Sequence, residues 1–242
     1  MFVVQLAGIS IGISPIYSST QTYFADYIVD CDPEFTITVS AEELIQERKV
    51  AAAQTAKDIS SSCSYTEQYL EQHLILRKIA CRIPEYGAMF IHGSAVMVDG
   101  KSYLFAAPSG TGKSTHSRMW CELLGKRVKI INDDKPFVRF IDGQFFVYGT
   151  PWRGKHNLGM NISAPLAGIC ILSQSADNRI QKCTPDMALN SMLQQSFKPV
   201  EEKDVLCSLT LLEELLNRVP IYRLSCNMDI SAAELSYRTL IK

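Results

Sequence analysis

The sequence lacks a long apolar run, a cluster of basic residues and closely spaced cysteines. Because no run is long and apolar enough to cross a bilayer, we expect no membrane-spanning segment and no membrane partner. Lysine plus arginine (24) almost balances aspartate plus glutamate (25), so the charge gives no indication of binding to nucleic acid. The apolar residues 1–14 have no basic leader, and we expect a strand there rather than a signal peptide.

The eight cysteines are scattered along the chain, and none belongs to a C-x-x-C pair. Disulfide frameworks and zinc sites are typically marked by short, regular cysteine spacings, which this chain does not have. The distribution therefore favours reduced thiols and predicts a cytoplasmic protein.

The 242 residues, of which 47% are hydrophobic, suffice for one large domain or two small ones. A polar, serine-rich break at residues 58–63 leads us to predict a small N-terminal α+β module over residues 1–85 and a larger core over residues 86–242. In the module, apolar alternation predicts strands at 3–14, 22–29 and 35–39. Two capping boxes, Ser40-Ala-Glu-Glu43 and Ser64-Tyr-Thr-Glu67, predict helices that end near residues 55 and 82.

In the core, hydrophobic strands alternate with helices. Asp99-Gly100 and Asp142-Gly143 are turn signals between apolar runs, and each predicts a β-hairpin. Because hairpins accompany a strand–loop–helix unit, we predict an α/β fold with a mixed sheet. The predicted strands are 89–98, 101–107, 128–131, 137–141, 144–148, 167–172 and 221–226, and the predicted helices are 113–124, 185–197, 205–218 and a terminal helix from 231.

Residues 103–114, YLFAAPSGTGKS, predict a phosphate-binding loop, with Ala107 at the position where the strict pattern has glycine. A short strand, a loop of small residues and a helix follow one another, which places backbone N–H groups and a helix N-terminus around one point. Such a point favours a triphosphate, with Lys113 on the β- and γ-phosphates and the Ser114 hydroxyl on Mg²⁺. The predicted nucleotide-binding residues are Ser109, Gly110, Thr111, Gly112, Lys113, Ser114 and Thr115.

Asp133 and Asp134 follow the apolar strand that ends at Ile131. A carboxylate beside a phosphate loop can hold Mg²⁺ directly or through water, because Mg²⁺ takes few protein oxygens besides phosphates and waters. A second, adjacent carboxylate can accept a proton from an attacking hydroxyl. The alternative is a solvated acidic turn at a strand end.

Two further segments carry candidate residues. His92 is a polar ring in an apolar strand, a position that by local pattern is more often structural than catalytic. The loop 149–156, GTPWRGKH, contains Arg153 and Lys155, which can clamp a phosphate or an anionic substrate. An ordinary surface turn is the alternative for this loop.

Together these segments resemble the HPr kinase/phosphorylase family, whose kinase core also resembles phosphoenolpyruvate carboxykinase. The resemblance rests on Ile91-His92-Gly93, on Ser109-Gly-Thr-Gly-Lys-Ser114 and on Asp133-Asp134, and it covers roughly residues 88–172. It implies a mixed-sheet P-loop kinase core of the HPr kinase/phosphoenolpyruvate carboxykinase type. It also implies that Asp134 is the general base, that His92 positions or polarises it, and that Asp133 lies near the metal.

The chain departs from that family in two respects. Pro151-Trp-Arg153-Gly154 lacks the glutamate that helps HPr kinases to hold Mg²⁺, and residues 1–85 do not resemble the N-terminal domain of HPr kinases. Neither HPr as the acceptor nor the reverse phosphorolysis reaction is therefore carried over from the resemblance. The family often assembles, so a homo-oligomer is compatible with the resemblance.

We therefore predict an ATP- and Mg²⁺-dependent kinase, a phosphotransferase with an alcohol-group acceptor. The acceptor is a serine of a protein or peptide, or a small hydroxylated metabolite, and the N-terminal module is a candidate for binding it. The predicted catalytic residues are Asp134, His92, Lys113 and Arg153, and the predicted metal ligands are Ser114 and Asp133. The alternatives are a nucleotide-binding regulator without turnover and a carboxykinase-like lyase, which would need metal ligands and a carboxylate-binding arginine that the sequence does not place.

Overall fold

The structure is a computed structural model that describes residues 1–55, 65–197, 199 and 201–241. Contacts group the chain into two units, Met1–Arg82 and Ile83–Lys242. Within the described ranges, no helix combines the length and the apolar character needed to cross a membrane. The serine-rich break predicted at 58–63 lies outside the described residues.

The N-terminal unit contains a three-stranded mixed sheet. Strand β1 (Phe2–Leu6) pairs antiparallel with β2 (Ile9–Ser14), and β2 pairs parallel with β3 (Phe35–Thr38). The single strand predicted over 3–14 is wrong, because Ala7 (φ 52°) and Gly8 (φ 71°) turn the chain between β1 and β2. The apolar alternation changes phase at this turn, from Phe2, Val4 and Leu6 before it to Ile9, Ile11 and Ile13 after it, and the prediction overlooked this change.

The strand predicted over residues 22–29 is also wrong. Helix α1 (Ser19–Tyr23) ends inside that range, and a 3-10 turn follows at Ala25–Tyr27. The buried carboxylate of Glu71 accepts hydrogen bonds from the backbone N–H of Tyr17 (3.3 Å) and from the hydroxyl of Thr20. This carboxylate, which is distant in the sequence, holds the start of α1. The residues of α1 themselves do not indicate this contact.

Two longer helices complete the unit, α2 (Ala41–Thr55) and α3 (Glu67–Arg82). The capping box at the start of α2 is confirmed, since Ser40 and Glu43 exchange backbone and side-chain hydrogen bonds of 2.9 and 3.2 Å. The second predicted box begins at Ser64, outside the described residues. Helix α3 is capped instead by Thr66, whose hydroxyl accepts from the Tyr69 N–H (3.2 Å).

The second unit is built on a mixed sheet, as predicted, and the sheet is curled. Its strands are β4 (Ala88–Phe90), β5 (Gly93–Val98), β6 (Lys101–Ala106), β7 (Val128–Asn132), β8 (Phe137–Ile141), β9 (Gln144–Tyr148), β10 (Ser163–Gln174), β11 (Arg179–Cys183) and β12 (Ile221–Cys226). Their spatial order is β4-β8-β9-β10-β6-β5-β7, and β12 pairs with β10 on one side and β11 on the other.

Strand β10 explains the curl of the sheet. Its first residues pair with β9, its middle with β6 and its last residues with β12, so one long strand joins two parts of the sheet. The predicted strand 167–172 covers only its buried centre. The charged edge strand β11 was not predicted, and the strand predicted over 89–98 is interrupted at Ile91 and His92, where the chain passes from β4 to β5.

Helices cover both faces of this sheet. The core on one face includes Trp120 of α4 (Lys113–Leu124) and Leu240 of α7 (Ile230–Leu240). The core on the other includes Met192 of α5 (Pro185–Gln195) and Leu215 of α6 (Glu202–Arg218). These four helices are confirmed predictions, with ends shifted by a few residues.

The topology brings two loops to one edge. Strand β5 pairs antiparallel with both β6 and β7, so β6 and β7 run in the same direction. The loop after β6 and the Asp133-Asp134 segment after β7 therefore leave the sheet at the same edge. Strands β10 and β12, which are parallel to β6, end there too.

Candidate functional site

Two glycines shape the loop between β6 and α4. Gly110 (φ 79°) and Gly112 (φ 116°) have left-handed backbone conformations, and a Cβ at either position would meet no atom within 4 Å. Glycine is therefore needed for the backbone conformation and not for space. Gln174, at the end of β10, donates through Nε2 to the carbonyl oxygens of Gly110 (3.3 Å) and Thr111 (3.4 Å), and so holds the loop from the neighbouring strand.

Lys113 begins α4 and lies back across the loop. Its Nζ donates to the carbonyl oxygens of Ala107 (2.8 Å) and Pro108 (3.2 Å). Burial lowers the pKa of this ammonium, and the nearby charge of Asp134 acts in the opposite direction. The lysine is thus a buried cation at the start of a helix, and its hydrogen bonds go to two neutral backbone oxygens.

Asn132 organises the end of β7. Its Oδ1 accepts from the backbone N–H groups of Asp134 (2.8 Å) and Lys135 (2.7 Å), which turns the chain sharply after the strand. Its Nδ2 donates to Thr150 and to the carbonyl oxygen of Trp152 (3.3 Å). This fully buried amide therefore sets the position of both aspartates and of the loop 149–156.

Asp133 is buried against that loop. Its Oδ1 accepts from the N–H of Gly154 (2.6 Å) and its Oδ2 from the N–H of Leu158 (3.4 Å). The hydroxyl of Ser114 lies 3.5 Å from the backbone oxygen of Asp133, which places the start of α4 beside the end of β7.

Asp134 lies between a histidine and a lysine. Nε2 of His92 is 3.3 Å from its Oδ1, and Nζ of Lys135 forms an ion pair with its Oδ2. Burial raises the pKa of this carboxyl, but the hydrogen bond from His92 and the charge of Lys135 outweigh burial and hold the pKa well below its ordinary value. Asp134 is therefore an ionised acceptor whose charge is balanced by its neighbours.

A glutamine supports His92 from the opposite side. Gln195, the last residue of α5, accepts the backbone N–H of His92 on its carbonyl oxygen (2.7 Å), and its Oε1 lies 3.0 Å from Nδ1 of the ring. The Gly93 N–H donates to the backbone oxygen of Asp134 (2.9 Å). His92 is thus held through its backbone and at both ring nitrogens, with Gln195 at Nδ1 and Asp134 at Nε2.

Sequence reasoning missed four of these residues, Gln174, Asn132, Lys135 and Gln195. Lys135 directly follows the aspartate pair, so its proximity could have been read from the sequence. Gln195 lies more than a hundred residues from His92, and nothing in the pattern of α5 indicates the contact.

These groups meet around one cavity of about 440 Å³. Its wall contains both aspartates, His92 and, from the loop and the first turn of α4, Ser109, Gly110, Gly112, Lys113, Ser114 and Thr115. Gly154, Lys155, His156 and Arg118 complete the lining. All of the lining residues belong to the Ile83–Lys242 unit.

Two of the predicted site residues are not among those that line this cavity. Among the described residues, Thr111 lines a neighbouring cavity and not this one. Arg153 is also absent from the lining; its side chain packs beside Gly159, where its Nε and Cδ lie 3.3–3.4 Å from the position of a Cβ. Lys155 is the cation that the loop 149–156 contributes to the wall. Trp152 is buried and stacks on Phe137, which anchors the loop.

The donor set at Ser114 and Asp133 fits Mg²⁺. A hydroxyl and a carboxylate from adjacent segments line the same cavity, and Mg²⁺ is usually held by one or two protein oxygens together with phosphates and waters. Within the described residues, no three histidine, cysteine, aspartate or glutamate side chains form a denser metal cluster. A cation here would therefore take most of its ligands from outside the protein, from waters or from a bound phosphate.

Comparisons with known proteins give a family and a distant structural likeness. The family model described as "SynChlorMet cassette protein ScmC" matches residues 56–231. Among solved structures, the chain is similar to the Hpr(Ser) kinase/phosphatase from Coxiella burnetii, with 9% sequence identity and a TM-score of 0.36, over 63% of this chain and 99% of that one. No curated protein matches. The resemblance to HPr kinases is thus structural and distant, and no residue role is carried over from it.

Proposed function

The chain belongs to the SynChlorMet cassette protein ScmC family, and we propose that it acts as an Mg·ATP-dependent kinase that transfers the γ-phosphoryl group to a hydroxyl. The observation that carries this proposal is the single cavity that the glycine loop, Lys113, Asp133, Asp134 and His92 share. A nucleotide-binding loop alone would fit many proteins. A carboxylate backed by a histidine in the same wall is what a hydroxyl acceptor needs.

The residues divide into binding and proton-accepting groups. In the proposed complex, the loop amides and Lys113 bind the phosphate oxygens, and Lys113 leaves the carbonyls of Ala107 and Pro108 to do so. Ser114 and Asp133 hold Mg²⁺, which when bound supplies positive charge at the phosphates. Lys155 adds a second cation to the wall of the cavity.

Asp134 is the proposed proton acceptor. The acceptor oxygen attacks the γ-phosphorus, its proton passes to Asp134, and the bond between the γ-phosphorus and the bridging oxygen breaks to release ADP. Because its pKa lies well below the ordinary value, Asp134 is ionised at neutral pH and ready to accept a hydrogen bond from the hydroxyl. A weak base suffices, because a loose transition state for phosphoryl transfer does not require the attacking hydroxyl to lose its proton early.

The acceptor itself is proposed only by class: a serine of a protein or peptide, or a hydroxylated metabolite. The Met1–Arg82 unit is proposed as the part that binds it, because the larger unit alone supplies the lining of the 440 Å³ cavity around Lys113, Asp133 and Asp134, here called the phosphate cavity. Arg153 remains a proposed catalytic residue because it lies in the same loop as Lys155. A homo-oligomer and a cytoplasmic location also remain proposals.

The test is phosphoryl transfer from γ-labelled ATP by the full chain, with Mg²⁺ and a panel of serine peptides, HPr and hydroxylated metabolites. Asp134→Asn should reduce transfer by at least about 100-fold, because it removes the base, while Mg·ATP binding stays within about 3-fold. Asp142→Asn, in the exposed turn between β8 and β9, is the matched control and should transfer normally.

Two outcomes would overturn the proposal. Full turnover in Asp134→Asn would remove the assigned base. Tight Mg·ATP binding by the unaltered chain, with neither transfer nor ADP release on any acceptor, would favour the nucleotide-binding regulator instead.

A further inference from the structure

A cavity of about 460 Å³ lies between helix α5 and the carboxyl ends of β6, β10 and β12, and it is called the β12 cavity here. It shares no lining residue with the phosphate cavity. Ala106, Ala107 and Pro108 line the β12 cavity, and Ser109, the next residue along the chain, lines the phosphate cavity. The two cavities therefore adjoin the same loop.

Arg223 of β12 is the one charged residue in the described lining of this cavity. Its Nη2 donates to the carbonyl oxygen of Met187 (3.1 Å), and the guanidinium forms no ion pair with a described residue. A guanidinium has five N–H groups, so most of those on Arg223 have no partner in the part of the chain that the structure describes. A positive charge in a cavity that contains no carboxylate favours an anionic ligand.

The neutral side chains around Arg223 add further hydrogen-bond donors. Oε1 of Gln195 contacts His92, but Nε2 of the same amide makes no hydrogen bond to a described residue. The hydroxyls of Ser173 and Ser225 lie 3.1 Å apart, and one of their two protons is left for a ligand. A single guanidinium among neutral donors matches a carboxylate better than a phosphate monoester, which carries a charge of about −1.5 to −2.

Two side chains connect the β12 cavity to the proposed proton acceptor. Gln195 lines the cavity and lies 3.0 Å from Nδ1 of His92, and Nε2 of His92 lies 3.3 Å from Asp134. A ligand in the β12 cavity is therefore bound beside the reacting groups and not among them. This placement suits a part of the acceptor that is bound but does not react.

The register of the sheet indicates how far that part lies from the reacting hydroxyl. Ile171 of β10 pairs with Ala106 of β6 on one side and with Arg223 of β12 on the other. Neighbouring strands lie about 4.8 Å apart, so about 10 Å separates the backbone at Arg223 from the strand that enters the phosphate-binding loop. An extended peptide covers this distance in about three residues.

We propose that the β12 cavity binds a carboxylate of the acceptor against Arg223, about three residues from the serine whose hydroxyl is phosphorylated. The inference rests on the proposed function and narrows its acceptor to a peptide with a carboxylate at that spacing. The carboxylate belongs to the C-terminus of the peptide or to an acidic side chain, and the test separates these sources. The Met1–Arg82 unit remains the proposed binding part for the rest of a longer peptide.

The test is phosphoryl transfer from γ-labelled ATP to short synthetic peptides by the full chain with Mg²⁺. Each peptide has one serine followed by one to four glycines, and each is made with a free C-terminal carboxylate and as the C-terminal amide. A third set ends in glutamate amide. We expect the KM of the best free acid to be at least about 10-fold below that of its amide, with the optimum near three residues. A lower KM in the glutamate set than in the free acids would assign the carboxylate to a side chain.

Two variants locate the effect in the β12 cavity. Arg223→Gln removes the cation, so the acid and the amide should have equal KM values, while the KM for Mg·ATP stays within about 2-fold. Ser191→Asp places a carboxylate in the lining, which should abolish the preference even if Arg223→Gln folds poorly. Arg179→Gln, at an exposed position on β11, is the matched control and should keep the full preference.

Binding without turnover is measured by saturation-transfer NMR on the same peptides with the full chain in the absence of ATP. The free acids should give a stronger signal than the amides, and the difference should vanish in Arg223→Gln. This measurement decides the question even if no peptide in the set is phosphorylated.

The outcomes distinguish this inference from the proposed function. If the unaltered chain binds and uses acids and amides equally, or if Arg223→Gln keeps the preference, the carboxylate site is wrong, and transfer to either form still supports the kinase. If the acids bind through Arg223 but no transfer occurs, the proposed function fails, and the acceptor role of the cavity fails with it. Decarboxylation of oxaloacetate with ATP would then assign Arg223 to a carboxykinase-like lyase.

Discussion

The side-chain amide of Asn132 donates to both the hydroxyl (3.0 Å) and the backbone oxygen (3.1 Å) of Thr150. Its oxygen accepts from the two N–H groups that follow Asp133. One buried side chain thus joins the strand end that carries the aspartates to the loop that carries Lys155. The phosphate cavity depends on this junction, although Asn132 does not line it.

Replacing Asn132 with alanine should therefore damage stability and the site together. The change leaves several buried backbone groups without partners, each worth about 1–3 kcal/mol, and we expect a loss of about 3 kcal/mol in the free energy of unfolding. Urea unfolding measures the loss, and Mg·ATP binding should weaken in parallel. Asn161→Ala, at an exposed position, is the control; equal stability of the two variants would contradict the structural role of Asn132.

The sequence predicted the parts of the site that are built from local chain. The β6–loop–α4 unit follows from apolar residues, two glycines and a helix start within a dozen positions, and its helix bounds match the structure. Asp133 and Asp134 were predicted as site residues because they directly follow an apolar strand. By contrast, Gln195, the buried Glu71 in the N-terminal unit and the long strand β10 depend on contacts between distant segments, which local periodicity does not encode.

Gln195 should act as a positioning residue for His92. Gln195→Leu keeps the volume and the backbone bond to His92 but removes the contact with Nδ1, so the ring is no longer held toward Asp134. We expect kcat for phosphoryl transfer to fall by about 10-fold, while KM for Mg·ATP stays within about 2-fold. A merely structural effect would change both constants and the unfolding midpoint.

The neighbouring glutamine provides the control for this prediction. Gln194 is exposed on the same turn of α5 and is absent from the described lining of the phosphate cavity. Gln194→Leu should leave kcat unchanged. An equal loss in both variants would show that α5 as a whole, and not the contact with His92, is responsible.

Lys135 should set the pH range in which Asp134 is ionised. Burial raises the pKa of Asp134, and the hydrogen bond from His92 and the ammonium of Lys135 lower it to below the ordinary value. Lys135→Met removes the ammonium, so the pKa of Asp134 should rise by at least about one unit, and the acid limb of kcat/KM should move to higher pH. Carboxyl NMR titration of the unreacted protein gives the same quantity without turnover.

The control for this change is Lys129→Met, at an exposed position on β7, which removes the same charge from the surface. It should leave the titration of Asp134 within about 0.3 units, because solvent screens a distant surface charge. If Lys135→Met also leaves the titration unchanged, the ion pair contributes nothing to the low pKa and His92 alone must account for it.

His116 should make the Ile83–Lys242 unit sensitive to mild acid. Burial lowers its pKa from 6.5 to about 4 in the folded chain. Between these two values the unfolded chain binds a proton that the folded chain does not, so stability is full above the unfolded pKa and is lost as pH falls through the window. From about pH 7.5 to about pH 5, this one group should cost about 2 kcal/mol of the free energy of unfolding.

A comparison with His116→Gln isolates that contribution from the titration of the carboxylates, which both proteins share. Glutamine can still donate to Ser236 but does not titrate, so the variant should lose about 2 kcal/mol less than the unaltered chain over the same pH range. The two urea unfolding curves should therefore converge as the pH is lowered. Parallel losses in the two proteins would mean that the ring takes up its proton without unfolding, and the buried neutral state assigned to His116 would be wrong.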